Sequence, residues 1–409
     1  MGDIMRTCFT KIVTIFLNFV LILLVYSVCG VSATTNAIPI SSKADLNKIR
    51  NNLNGDYYLT CNIEFDESDF ISGGAYYNSG KFFVPIGNGK SPFTGTFDGR
   101  GYTISGIKVS VSGKVYTMKT TAVKAITSLL SDDGWTGDYI TDDLTPKVSP
   151  AVGLFGANEG TIKNLTVSDG NFTARSSNSA ILYIGGIAGH NNGNIENCAV
   201  KNNLIGDSYS KIGGIVGYQS GGSISNCFVR GQIKSIGTFG GVTATVAGGS
   251  VTNCYSEASF TDEGAACFGV VGADVFQNIS NCYYISEVDA EGYGERISTS
   301  DAKKPKSYKG FEFGTKWYMS ATLRRPALKG ILLPEGENVI IGDINGDKFI
   351  DLRDVILLAK YVEKWDSIQV NNIVANIDFN FNNNGDDIID LNDIVDLARY
   401  VAGWDGVIL

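Results

Sequence analysis

Two short segments near the C-terminus carry the densest chemistry in the chain. Residues 343–366 and 382–405 align without a gap, and 13 of the 24 aligned positions are identical. In the first, oxygen-bearing side chains fall at loop positions 1, 3, 5, 9 and 12: Asp343, Asn345, Asp347, Asp351 and Asp354, with the main-chain carbonyl of Phe349 at position 7. In the second they are Asn382, Asn384, Asp386, Asp390 and Asp393, with the carbonyl of Ile388. That spacing wraps oxygens around a hard cation, so each loop is expected to hold one Ca²⁺. From residue 341 onward there are 13 Asp and Glu against 5 Lys and Arg, so most of the net charge of −9 sits here. Carboxylates packed this closely repel one another unless a cation lies among them. Position 6, where a left-handed turn favours Gly, holds Lys348 and Asp387, each at a cost of about 1 kcal/mol. Asn382 also removes one ligand charge, so the second site is expected to be the weaker.

Beyond each loop, apolar residues recur at helical spacing: Leu352, Val355, Ile356 and Ala359, then Leu391, Ile394, Val395 and Ala398. Each set forms one stripe on a helix, and the two stripes are expected to pack face to face. Two EF-hand-like loop-helix repeats with Asp at position 12 resemble a type I dockerin. The resemblance implies a small all-α module over residues 341–409 that binds the cohesin domain of a scaffoldin in a cellulosome-like assembly. Carried over position by position, it implies partner contacts at Leu352, Arg353, Ala359, Lys360 and Lys364, and in the second copy at Leu391, Asn392, Ala398 and Arg399. Near-identical copies would permit two binding orientations, although Arg353/Asn392 and Lys364/Gly403 differ. A calcium-stabilised cap without a cohesin partner is the plainer alternative.

The body that these loops follow is a repeat. One half of the unit reads Thr161-Ile-Lys-Asn-Leu165, Asn194-Ile-Glu-Asn-Cys198, Ser223-Ile-Ser-Asn-Cys227, Ser250-Val-Thr-Asn-Cys254 and Asn278-Ile-Ser-Asn-Cys282. The other half is a glycine-rich strand, as in Gly186-Ile-Ala-Gly189 and Gly214-Ile-Val-Gly217. A period near 28 residues, with short alternating runs split by Gly, Asn and Ser turns, predicts a solenoid of stacked strands. The expected architecture is mainly β, a right-handed parallel β-helix over residues 34–333. Asn164, Asn197, Asn226, Asn253 and Asn281 are expected to form a column of hydrogen-bonded amides. Cys198, Cys227, Cys254 and Cys282 would fill the core as thiols, because in-register Cβ atoms are too far apart for a disulfide. These units resemble the GLUG repeat of bacterial surface and secreted proteins, including regions that accompany the immunoglobulin A peptidase family. Residues 40–110, with Ser42 and Asp45 as a helix start, are expected to form the N-terminal cap and first coils. Residues 111–150 interrupt the period and are expected to be a surface insertion, Arg324–Leu328 a closing strand, and residues 334–340 a linker.

Residues 1–33 have the layout of a secretory signal: Arg6 and Lys11, an apolar run, and Val31-Ser32-Ala33 as the cleavage site. The mature chain is therefore expected to be exported and free of the membrane; a retained anchor is the alternative. With 33 basic against 42 acidic residues, no basic face suits nucleic acid. A single histidine, His190, excludes zinc proteases that need two on one helix.

For the solenoid, the sequence points to a non-catalytic body that binds carbohydrate or a surface, with Tyr183, Tyr209, Tyr218, Tyr255, Tyr283 and Tyr284 as residues that could stack on sugar rings. The competing expectation is a polysaccharide hydrolase or lyase, with Asp207 and Glu263 as the one suggestive carboxylate pair. No catalytic residue is assigned. His190, which shares its slot with Ala157, Tyr218, Thr245 and Ala273, is expected to be a variable surface position.

Overall fold

The computed structural model describes residues 37–113, 151–176, 181–235, 237–260, 269–274, 278–290, 292–320, 323–331, 342–346, 350–365, 368, 370 and 389–402. The expected signal segment, residues 114–150 and the expected linker lie outside them. The chain divides into two units, Met1–Ile38 and Pro39–Leu409, and the second contains the solenoid and its flanking helices.

The chain is mainly β, and its body is a parallel β-solenoid of about four turns with three walls. The longest wall stacks Thr161–Ser176, Asn194–Ile205, Ser223–Lys234, Tyr255–Phe260 and Tyr283–Ile285. A second stacks Ala151–Val152, Leu182–Gly185, Ser210–Gly213 and Thr238–Gly240. A third runs from Phe155–Asn158 through Ala188–Asn191, Val216–Gln219 and Thr243–Val246 to Val271–Asp274. Register follows the repeat: Ile195 lies beside Ile162 and Ile224, and Cys198 beside Leu165 and Cys227. Each such column is buried, so every turn supplies the apolar cover its neighbour lacks.

The glycine-rich half of the unit turns the corner between the second and third walls. A Cβ on Gly213 would sit 2.0 Å from the carbonyl oxygen of Val216, and one on Gly185 would sit 2.1 Å from that of Ala188. Only a residue without a side chain fits so tight a bend. A bend inside the long wall is marked by the asparagine column. Asn164, Asn197, Asn226, Asn253 and Asn281 all have φ between 50° and 53°, the left-handed region that asparagine tolerates better than most residues. Their amides form part of the expected ladder: Asn197 donates to Asn164 Oδ1 at 3.3 Å, and Asn281 to Asn253 Oδ1 at 3.0 Å. The residue type is therefore required twice, by the bend and by the ladder.

The four repeat cysteines are free and buried, as their in-register spacing predicts. Each thiol donates to the carbonyl two residues earlier, at 3.2 to 3.3 Å. Burial pushes the Cys198 and Cys254 thiols well above the ordinary range, which keeps them neutral and unreactive.

Two expectations need correction. Residues 111–113 belong to the strand Lys108–Gly113, which pairs with Asn171–Ser176; Val109 and Val111 alternate inward, so the interruption begins later than 111. Arg325–Leu328 does not close the main sheet. It pairs antiparallel with Trp317–Ser320 as a separate hairpin, and the last strand of the long wall is Glu295–Ile297. All eight strand residues of the hairpin are buried. One side covers an apolar column on the outer face of the long wall, made of Ala199, Phe228, Tyr255 and Tyr283.

Short helices flank the body. α1, Lys43–Lys48, is capped by Ser42, whose hydroxyl accepts from the Asp45 amide. α2, Leu352–Val362, and α3, Leu391–Val401, pack against each other in the C-terminal module.

Candidate functional site

The first acidic loop is tied to its helix by two carboxylates. Asp351 is the N-cap of α2 and accepts from the Arg353 amide at 2.7 Å. Asp354, fully buried, accepts from the Asp351 amide at 2.9 Å, and through its other oxygen from the amides of Ile344 at 2.8 Å and Asn345 at 3.0 Å. Position 12 thus staples the start of the loop to the first turn of the helix. Asp343, also buried, accepts from the amide of Gly346, whose φ of 78° makes the turn. Hydrogen bonds from the Arg353 side chain and amide hold the Asp351 carboxyl below its usual range.

The second copy repeats the helix-cap part of this geometry. Buried Asp393 accepts from the Asp390 amide at 2.8 Å, and Asp390 from the Asn392 amide at 2.7 Å. Asp347, Phe349, Asn382, Asn384, Asp386 and Ile388 lie outside the described residues. Among the described residues, no group of three or more His, Cys, Asp or Glu is assembled to hold a metal ion. The donor set that the sequence implies is all oxygen, which would suit Ca²⁺ rather than a thiol- or imidazole-seeking ion.

The helix faces correct the expected packing. Leu352 and Ile356 are 59% and 47% exposed, and their counterparts Leu391 and Val395 are 65% and 37% exposed. Of the expected stripes, Val355, Ile394 and Ala398 do meet the shared core, which is completed by Leu358, Leu397 and Val401. The cause is position 12: once Asp354 and Asp393 are fixed inward, residues one and four places on must follow them. Two apolar pairs, 39 residues apart in sequence, are left facing outward.

Of the remaining implied partner residues, Arg353 is exposed and paired with Asp351 at 2.7 Å, and Arg399 with Asp396 at 3.3 Å. Lys360 lies 5.5 Å over the Trp365 ring, and Lys364 is exposed with φ 56° just past the end of α2. Ala359 and Ala398 are half-buried, and exposed Asn392 donates its main-chain N–H to the capping carboxylate of Asp390. The module's core also contains Met319 from the hairpin.

On the solenoid the tyrosine reading fails for most residues. Tyr183, Tyr218, Tyr255 and Tyr283 are buried; Tyr209 is exposed and Tyr284 half-buried. Tyr255 donates to the Pro326 carbonyl at 2.7 Å and Tyr283 to the Lys309 carbonyl at 3.0 Å. Burial pushes Tyr283 up to about 12. Asp207 is committed to a turn, accepting from the amides of Ser176 and Tyr209 and from the Ser210 hydroxyl; Glu263 lies outside the described residues. His190 occupies the expected slot beside Ala157 and Tyr218, but not as a free surface residue. Half-buried, it meets the Ser220 hydroxyl at 2.5 Å and the Tyr218 ring at 5.4 Å, and burial lowers it to about 3.

Sequence reasoning missed a second amide ladder inside the third wall. Asn158 donates to Asn191 Oδ1 at 2.7 Å, and Asn191 to Gln219 Oε1 at 2.8 Å, all three side chains buried. Its signal was the pattern of an amide residue two places before a glycine: Asn158 and Gly160, Asn191 and Gly193, Gln219 and Gly221.

The model of the GLUG motif matches residues 182–205 and 208–234, two consecutive turns. The middle of the chain is a GLUG-repeat β-solenoid. Halomucin of Haloquadratum walsbyi is 30% identical over 182 residues, which are 44% of this chain and 2% of halomucin. A "Putative Gly-rich membrane protein" of Evansella cellulosilytica is 29% identical over 141 residues, 34% of this chain and 15% of that protein. The chain therefore spans a small fraction of either relative. Among solved structures, a "putative immunoglobulin A1 protease" from Bacteroides ovatus has 15% identity and a TM-score of 0.45, covering 73% of this chain and 94% of that one. No helix among the described residues is long and apolar enough to cross a membrane.

Proposed function

We propose that the chain is an exported carrier in which a calcium-dependent type I dockerin binds a cohesin and so tethers a non-catalytic GLUG solenoid that binds carbohydrate or a surface. One observation carries the docking half: the exposed pairs Leu352/Ile356 and Leu391/Val395 recur on the two copies while Asp354 and Asp393 are buried beneath them. Exposed apolar residues flanked by charge are the composition of a docking patch. Both copies present the same patch, which supports two orientations of the partner.

Calcium, held by Asp343, Asn345, Asp347, the Phe349 carbonyl, Asp351 and Asp354, and more weakly by the second loop, would supply the positive charge that lets these carboxylates lie together. Asp354 orients the start of α2, and with it Leu352 and Arg353, so ion binding and presentation of the patch are coupled through one side chain. For the body, the surface- and membrane-type names of the relatives support an adhesive role. The enzymatic alternative finds little support in Asp207, whose carboxylate is occupied by turn amides.

The test is capture of the full chain by immobilised cohesins with calcium and with chelator. Retention in calcium and release on chelation is expected. Failure to bind any type I cohesin in calcium would leave only the structural-cap reading.

A further inference from the structure

At the end of the solenoid, where one more turn would stack, the chain departs and leaves a pocket of about 600 Å³. One side is the last full repeat edge, Ser280, Asn281 and Tyr283; the other is the return segment through Tyr293 and Glu295, with Lys309 at the rim. Tyr293 bridges back to Val271 and caps the third wall, so its ring, 39% exposed, is held in place. Gly310, with φ 82°, lets the chain carrying Lys309 press onto the Asn281 amide: a Cβ there would fall 2.1 Å from Asn281 Nδ2. The Tyr283 hydroxyl ties down the Lys309 carbonyl at 3.0 Å.

Three polar groups in this pocket keep unused hydrogen-bonding capacity among the described residues. Asn281 is the last rung of its column; its Nδ2 donates to Asn253, and among the described residues no donor reaches its Oδ1. The Glu295 carboxylate and Lys309 ammonium, both exposed, have no side-chain partner among the described residues. An acceptor amide, a carboxylate and an ammonium around one apolar ring match a ligand with adjacent hydroxyls above a C–H face. The two charges cancel, which favours a neutral ligand over an anion or a cation. A volume of this size lies within the range of small-molecule sites, about 300–1,000 Å³.

We infer that this terminal pocket, and not the tyrosine column, is the solenoid's carbohydrate subsite, and that it takes a neutral pyranose unit. The inference rests on the carbohydrate-binding reading of the body and gives that reading an address.

The test measures binding of the full chain in calcium to neutral β-linked gluco- and xylo-oligosaccharides, with polygalacturonate as the anionic arm. Glu295→Gln and Lys309→Met, each on exposed side chains, are expected to weaken binding of the neutral sugars by roughly tenfold with the melting temperature unchanged. Binding that both variants retain in full would overturn the pocket and leave the carbohydrate reading standing. Preference for polygalacturonate would overturn the neutral assignment. No binding to any sugar by the unmodified chain would remove both.

Discussion

The rings of Phe228 and Tyr255 stack with centroids 5.3 Å apart and planes within 6° of parallel. They are in-register residues of successive turns, on the outer face of the long wall. Such a column would be an exposed apolar patch were it not covered by Trp317, Phe311 and Tyr308. Arg325 anchors the cover, its guanidinium donating to Glu257 Oε1 at 2.8 and 3.0 Å while Glu257 also pairs with Arg230.

Trp317→Ala is therefore expected to cost about 3–5 kcal/mol, as for other buried aromatic truncations. Tyr209→Ala, an exposed tyrosine, should stay within about 0.5 kcal/mol of the parent. Denaturant midpoints with unchanged slope would measure both. Equal effects would mean that the hairpin is a loose flap.

The asparagine column separates two physical roles. Asn197→Gly removes the amide but keeps the left-handed backbone accessible; Asn197→Ala removes the amide and adds about 1–2 kcal/mol of strain. The alanine variant should be the less stable by about 1 kcal/mol in a urea titration. If glycine proves equal or worse, the amide ladder rather than the bend is what asparagine supplies.

The walls were legible because each interior column repeats at the period of the chain: Ile195, Cys198 and Val200 recur as Ile224, Cys227 and Val229. The bend role of Asn197 was not legible, since a hydrogen-bonding residue and a residue tolerant of positive φ are the same letter. Nor was the burial of Tyr255 and Tyr283. Strand alternation assigns them correctly to the outer face, but only the distant hairpin at 317–328 decides whether that face meets water. The helical stripe held only in part for a related reason: residues 352, 355, 356 and 359 define a face by periodicity, and the buried carboxylate of Asp354 turns the helix so that Val355 stays inward while Leu352 and Ile356 face out.

His190 supplies a pH dependence with one reporter. Burial holds the folded imidazole at about 3, against an ordinary value of about 6.5. Between these values the unfolded chain binds a proton that the folded chain does not, so stability falls as pH drops below about 6.5 and levels off near 3. As the sequence contains one histidine, a single imidazole signal in the proton NMR spectrum follows it directly. That signal should not titrate between about pH 7 and 5, and His190→Gln should flatten the stability loss over that range. A midpoint near 6.5 in the folded protein would refute the buried, neutral assignment.

Asp354→Asn tests whether the loop and helix act as one unit. The variant keeps the shape but loses the charge, and its amide nitrogen cannot accept from a main-chain N–H, leaving a buried group at a cost of about 1–3 kcal/mol. Titration calorimetry should show the stronger calcium heat lost, and circular dichroism a lower helix content even in saturating calcium. Parent-like calcium binding would show that position 12 is a cap alone.

Among the described residues, the core of the C-terminal module takes in Met319 from the hairpin, fully buried with Ile344, Val355, Leu358 and Leu397. Met319→Ala is expected to destabilise α2 and α3 by about 2–5 kcal/mol, whereas Met319→Leu should cost less than about 1.5 kcal/mol. Because Trp317, on the same hairpin, packs with the solenoid's own aromatic column, the loss should be local to the module. Hydrogen exchange can read this: in the alanine variant, amides of 352–362 and 391–401 should exchange faster while those of 223–234 stay protected. Unchanged protection of both helices would mean that the module folds as an independent bead and that its contact with the hairpin contributes nothing to its stability.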